Sequence, residues 1–188
     1  MYVNEMPRYE ILSEEAMDVL DRGWRRIVSE LGIEFLLPEA VEYFRAAGQK
    51  VDGDKVFLDP EFVLEQVAKA PREFDLQARN PDKTVHIGGN HMVFSGVYGP
   101  PFVREGDSRR DAKMADFENL VRLSQSFPEL DSPGGTICEP EDRPLDSRHL
   151  DMVYALQTLS DKPYMGSVIS AENARDTIAM GRSEGAHV

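Results

Sequence analysis

The chain has 188 residues, 41% of them hydrophobic and 29% charged, with a mean hydropathy of −0.42. That composition excludes a disordered, fibrous or membrane-embedded chain and fits one domain with a sizeable core, or part of a larger one. With 34 acidic against 21 basic side chains the net charge is −13, which repels phosphate backbones and anionic lipid, so neither nucleic acid nor a membrane is an expected partner.

Ser13 to Leu31 carries Ala16, Val19, Leu20, Trp24, Ile27, Val28 and Leu31 at helical spacing. Ser13 serves as the N-cap, Glu14 and Glu15 suit the positive end of the helix dipole, and Gly32 closes the helix. After the apolar stretch Ile33 to Leu37, Pro38 opens a second helix with Val41, Phe44 and Ala47 inward, closed by Gly48. Val51, the Asp52-Gly53 pair and Val56-Phe57-Leu58 predict a short hairpin. Asp59 and Pro60 launch a third helix that stops before Pro71, and the three helices are expected to form one small packed unit.

From Phe74 the hydrophobic period changes to two. Phe74, Leu76 and Ala78 alternate, Asn80-Pro81-Asp82-Lys83 turns, and Val85 and Ile87 return; Met92 to Ser95 and Phe102 to Arg104 are further predicted strands, making a β-meander. Arg104, Arg109, Arg110 and Lys113, interrupted by acidic residues, read as a solvated mixed-charge loop. A helix follows over Met114 to Ser126. Two βα units then close the chain: a run Ser132 to Glu139 with a helix over Ser147 to Leu159, and a run Tyr164 to Ile169 with a helix from Ala171. Parallel neighbours need such helical crossovers. Two units cannot cover their own strands, whereas a closed barrel repeats the unit eight times over about 250 residues. The expected fold class is therefore α/β: a helical region over 1–73, a β-meander over 74–113, and the N-terminal part of a truncated (β/α)8 TIM barrel over 114–188. The end inside the last helix, Gly181 to Val188, reads as a fragment boundary, and such a fragment is expected to be inactive by itself.

The single cysteine, Cys138, excludes a disulfide framework and multi-cysteine metal sites. With no apolar leader at the N-terminus and no run near the ~18 residues of a membrane span, the expected compartment is the cytoplasm. No phosphate-loop, dinucleotide, HExxH or GxSxG motif occurs. His86 and His91, five apart, are the pair with any prospect of sharing an ion, but the expected metal complement is none; His149 is placed on the exposed start of a helix.

The loop Tyr98-Gly99-Pro100-Pro101-Phe102 sets two aromatics around a rigid proline pair. The rings either face a pocket rim, where they attract a quaternary ammonium group, or serve as core beside a turn, and composition favours the second. In parallel α/β folds the working face lies at the C-terminal ends of the strands, which points to Glu139, to balance a cation or accept a proton, and to Ser167 or Ser170 as hydrogen-bond donors. Ser170 reads equally well as an N-cap with Asn173 three residues on. Cys138, with no base beside it, reads as a small buried strand residue.

Several stretches of the chain, in order, resemble the trimethylamine methyltransferase family, the corrinoid-dependent amine methyltransferases and their relatives lacking pyrrolysine. They are Leu12-Ser13-Glu14-Glu15-Ala16, Leu31-Gly32-Ile33-Glu34-Phe35, and Ala46-Ala47-Gly48-Gln49-Lys50-Val51-Asp52-Gly53. They continue with Ala70-Pro71-Arg72-Glu73-Phe74, Ala78-Arg79-Asn80-Pro81, Gly99-Pro100-Pro101-Phe102 and Lys162-Pro163-Tyr164-Met165-Gly166-Ser167. The resemblance covers about Tyr9 to Met180. It implies a (β/α)8 barrel that passes a methyl group from a methylated amine, trimethylamine or a quaternary amine such as glycine betaine, to the cobalt of a separate corrinoid protein. No cofactor is then expected on this chain, since the partner carries the corrinoid. No catalytic residue is carried over, and the candidate substrate-binding residues are Tyr98, Phe102, Glu139 and Ser167; a homo-oligomer is compatible with this architecture. The rival expectations are another TIM-barrel enzyme of small molecules using Glu139 as acid or base, and a stand-alone acidic interaction module.

Overall fold

A computed structural model describes residues 2–7 and 9–183; of the predicted fragment boundary Gly181 to Val188, residues 184–188 lie outside the described residues. The chain opens with β1 (Tyr2–Val3) and then builds a compact unit over Met6–Pro71. There α1 (Glu14–Arg26) starts where Ser13 Oγ accepts the Ala16 N–H at 3.2 Å. It widens into a π turn over Ile27–Leu31 and stops at Gly32, whose φ of 73° a side chain would strain. Strand β2 (Ile33–Glu34), helix α2 (Pro38–Ala46), strands β3 (Lys50–Asp52) and β4 (Lys55–Phe57), and helix α3 (Pro60–Val67) follow. The strands form an antiparallel sheet ordered β2-β4-β3, with Val56 opposite both Ile33 and Val51. Val56, Val41 and Leu58 are its buried residues. So small a core leaves Val19, Leu20, Ile27 and Leu31 of the first helix more than half exposed, and the helical apolar stripe is not the buried face its periodicity suggests.

The second unit joins the opening residues to Arg72 and beyond, with the described residues of the expected 74–113 and 114–188 regions, up to 183, in one body. The expected meander is instead a set of separate two-stranded pairs. Strands β5 (Phe74–Leu76) and β6 (Val85–Ile87) make a hairpin, β7 (His91–Met92) pairs with β1, and β8 (Phe102–Glu105) pairs with β9 (Ser108–Asp111). The last strand falls in the stretch expected to be a mixed-charge loop. Its sequence Ser-Arg-Arg-Asp shows no apolar alternation; register and charge hold it. Arg109 stacks over Phe102 at 3.7 Å, and Arg110 reaches both Glu105 and, bidentately at 2.7 and 2.8 Å, Asp116. That clamp holds the Asp116 carboxyl down to about 2.

On the first hairpin Asp75 lies directly opposite His86, whose Nδ1 meets Asp75 at 2.8 Å and Nε2 meets Glu73 at 3.3 Å. Asp75 first and Glu73 second raise the imidazole pKa above its usual 6.5. A raised value means that protonation stabilises the fold below the unfolded pKa, a contribution lost as pH climbs through the folded one. An NMR titration should therefore place the His86 midpoint above 6.5, with faster amide exchange in β5 and β6 on its alkaline side. A midpoint at or below the unperturbed value would refute the pairing.

Helices α4 (Met114–Ser126), α5 (Arg148–Leu159) and α6 (Ala171–Ser183) match the predicted spans. Phe117, Val121, Met152, Leu156 and Cys138 form the core between the first two. The runs 132–139 and 164–169, expected as strands, carry no regular ladder. They are nevertheless laid side by side in one direction. Ser132 Oγ donates to Pro163 O, Met165 N to Gly134 O and Thr136 Oγ1 to Ser167 Oγ, each pair 31 residues apart, and a constant offset is the mark of parallel segments. A third segment joins them one unit earlier than the sequence suggests. Ser95 bridges Ser132 in parallel, Phe94 bonds to Asp131 37 residues on, and Gly99 N donates to Thr136 O at 2.7 Å. Residues 94–99, 131–136 and 163–167 thus run parallel in sequential order, with α4 and α5 as crossovers and α6 after the third. Pro133 and Pro163 lack N–H donors, so hydroxyl-to-carbonyl bonds stand in for parts of a ladder.

Candidate functional site

Parallel segments bring their C-terminal ends to one side, and three loops converge there: 96–101, 137–147 and 168–170. The proline pair knits the first two loops together through its carbonyls. Glu139 N donates to Pro100 O at 3.0 Å, Ala112 N to Pro101 O at 2.9 Å, and Glu141 N to Ala112 O at 2.8 Å. A proline has no donor but a good acceptor, so this loop is held by what it accepts.

Tyr98 sits on that loop, about half exposed, with its hydroxyl accepting from the Gly135 N–H; burial raises its pKa. Gly135 is glycine for want of space: a Cβ there would lie 2.5 Å from both Tyr98 Oη and Met165 O. Those two oxygens are therefore within about 5 Å of one another. Ser167 and Thr136 are both buried and share a hydrogen bond of 3.0 Å. Glu139 is partly buried and pairs with Arg148 at 2.9 Å, which also contacts Glu141 at 3.4 Å. Tyr98, Glu139 and Ser167 thus gather at one end of the segments. Phe102 follows that loop as the first residue of β8, and one face of its ring is taken by Arg109.

The remaining candidates have structural partners. Ser170 Oγ accepts the Asn173 N–H at 3.1 Å, the N-cap reading. Cys138 is 1% exposed, and burial, with Asp116 and Glu139 adding to it, pushes its thiol up to about 11, so the reactive thiolate is suppressed. His86 and His91 meet edge to face at 4.6 Å, with their ring nitrogens occupied by Asp75, Glu73 and Gly88 O. Among the described residues no group of three or more His, Cys, Asp or Glu side chains is placed to hold a metal ion. His149, expected at an exposed helix start, is 5% exposed. Its Nδ1 accepts from Asn173 Nδ2 and its Nε2–H donates to Asp176, both at 2.9 Å, which ties α5 to α6. The helix start itself is exposed, but the histidine points to the neighbouring helix, which one helix's periodicity does not reveal. Thr136 and Arg148 are the site residues that sequence reasoning missed; the signal for Thr136 was its 31-residue spacing from Ser167.

Parallel segment–helix units, here with an aromatic, two hydroxyls and an ion pair at their C-terminal ends, define a protein of the βα class. A sequence profile of the trimethylamine methyltransferase (MTTB) family matches residues 1–186, and the chain belongs to that family. It is 42% identical over 174 residues to the glycine betaine methyltransferase of Desulfitobacterium hafniense (strain Y51), covering 92% of this chain and 36% of that protein. It is 27% identical over 179 residues to the proline betaine:corrinoid methyltransferase of Eubacterium limosum, covering 93% and 36%. A third relative, the L-carnitine:corrinoid methyltransferase of Eubacterium limosum, is 26% identical over 113 residues, covering 59% and 23%. The chain spans about a third of the length of the first two curated relatives. No helix among the described residues is long and apolar enough to cross a membrane.

Proposed function

We propose that this chain is the N-terminal part of a corrinoid-dependent methyltransferase acting on a quaternary amine, with its three parallel segments as the first staves of a (β/α)8 barrel. The constant 37- and 31-residue registers carry the reading. They set each segment beside the next with a helix between, as the barrel requires, in a chain whose relatives are named for betaine and corrinoid methyl transfer. The reduced corrinoid of a partner protein supplies the nucleophile, and the quaternary nitrogen leaves as a tertiary amine.

The tasks left to this chain are to hold a cation, exclude water and aim a methyl group outward. Tyr98 offers a ring face to the methyl groups. Glu139, fixed by Arg148, places a carboxylate at the rim, and Ser167 lies deeper between the segments. The oxygen-bearing and aromatic side chains gathered here suit enclosure of a methylated cation, with the corrinoid held on the partner's side.

The test is direct. The full-length enzyme of which this chain is proposed to be the N-terminal part is mixed with free cob(I)alamin and a panel of trimethylamine, glycine betaine, proline betaine and carnitine. Growth of methylcobalamin absorbance with a quaternary amine is the expected result; no transfer from any member of the panel overturns the reading.

A further inference from the structure

We infer that the Thr136–Ser167 hydroxyl pair recognises the carboxylate end of a zwitterionic quaternary amine. The inference rests on the methyl-transfer reading above and adds which part of the substrate these residues meet. Tyr164 Oη accepts from Gln157 Nε2 of α5, and Gly166 lies against Thr177 of α6, where a Cβ would come within 2.5 Å of Thr177 Cγ2. Residues 164 and 166 therefore face the helices, and alternation along an extended segment turns Met165 and Ser167 the other way. Thr136 shares the face of Ser167, to which its hydroxyl is bonded at 3.0 Å.

Apart from Met165, the positions placed on this face are small. Gly99, Thr136 and Ser167 stand at one level, and Gly134 lies one step below Thr136. A barrel interior is ordinarily filled here by bulky branched side chains; at this level nothing lies within 4 Å of where a Gly99 Cβ would stand, whereas Gly134 is packed against Ser95 and Tyr98. Two hydroxyls carry two protons, and their mutual bond uses one. Among the described residues Ser167 Oγ has Thr136 Oγ1 as its one hydrogen-bond partner. Both residues are more than nine-tenths buried at 6% and 9% exposure, so the second proton is a desolvated donor that gains most from an anionic oxygen. A quaternary ammonium group has neither an N–H nor a lone pair, and a hydroxyl can make no hydrogen bond with it. The acid end is the part of such a substrate that this pair can read.

Calorimetry on the same full-length enzyme decides the matter, with glycine betaine and its carboxylate-free counterpart tetramethylammonium as probes. In wild type, glycine betaine should bind the tighter. In Ser167→Ala the ratio of the two Kd values should shrink by roughly ten-fold or more, the usual scale of one charged hydrogen bond. Thr136→Val keeps the branched shape and should shrink the ratio similarly, which preserves the test if the alanine variant does not fold. An unchanged ratio in a folded variant overturns the inference, whatever happens to either affinity alone, and leaves methyl transfer standing if cob(I)alamin is still methylated. Absence of methyl transfer by wild type overturns both.

Discussion

Replacing Lys162 by methionine is expected to destabilise the fold by about 3 kcal/mol or more, read as a drop in urea midpoint with little change in slope. The side chain is 6% exposed, and its ammonium donates to Ser124 O at 2.8 Å, Phe127 O at 2.6 Å and Leu130 O at 2.5 Å. An ammonium has three protons, and all three are used. Ser124 O belongs to the last turn of α4, and Phe127 O and Leu130 O to the turn that follows it, where Pro128 stops the helix. One positive charge therefore caps that helix and, through the next residue, Pro163, anchors the entry of the third parallel segment. Methionine fills most of the volume but removes the donor from three carbonyls, of which Phe127 O keeps the Leu130 N–H at 3.2 Å. Beside it, Asp161 receives Lys83, Gln125 and Asn80, and the Lys83 ammonium holds its carboxyl well below the usual carboxylate range. Lys83 is a third exposed, so Lys83→Met should cost about 1 kcal/mol or less. Equal losses from the two lysine variants would show that burial of the Lys162 ammonium is not what matters.

Gly135→Ala should be at least as damaging, with loss of cooperative unfolding or a fall of several kcal/mol. The added methyl would stand 2.5 Å from Tyr98 Oη and Met165 O and 2.9 Å from Gly166 O. Two of those atoms are backbone, so relief requires the central and third segments to part, and every hydrogen bond in the 31-residue register to lengthen. Gly23→Ala in α1 is the contrast. Nothing lies within 4 Å of its Cβ position, and alanine in a helix interior should stabilise by about 0.5–1 kcal/mol. Thermal melts of the two variants should move in opposite directions. If Gly135→Ala melts with wild type, the close approach of the two segments is wrong.

These effects concentrate at opposite ends of the same three segments. Lys162 and Asp161 tie the ends where the segments enter; Gly135 and Tyr98 lie where they leave. In βα architectures the entry end serves stability and the exit end serves chemistry, and the exit end is where the sequence had placed Glu139 and Ser167.

The helices of this protein were legible from its residues alone. Ser13, Asp59, Pro38 and Pro60 mark helix starts through local chemistry, and the α4 span follows from the spacing of Phe117, Val121 and their neighbours. The same holds for the two hairpins with apolar alternation, and for the order of motifs that pointed to the family. All of these are local signals, carried by residues within a turn or two of one another.

What tertiary structure alone decided involves partners far apart in the chain. Strand β9 has no apolar alternation and exists because Arg109 and Arg110 find Phe102, Glu105 and Asp116. Met92 to Ser95 looks like a meander strand until Ser132 lies beside Ser95, and His149 looks exposed until α6 supplies Asn173 and Asp176. The Thr136–Ser167 pair and the Lys162 cap join residues 31 to 38 positions apart. A propensity belongs to one residue and its immediate neighbours, whereas a hydrogen bond across segments depends on register, which packing of the whole unit sets.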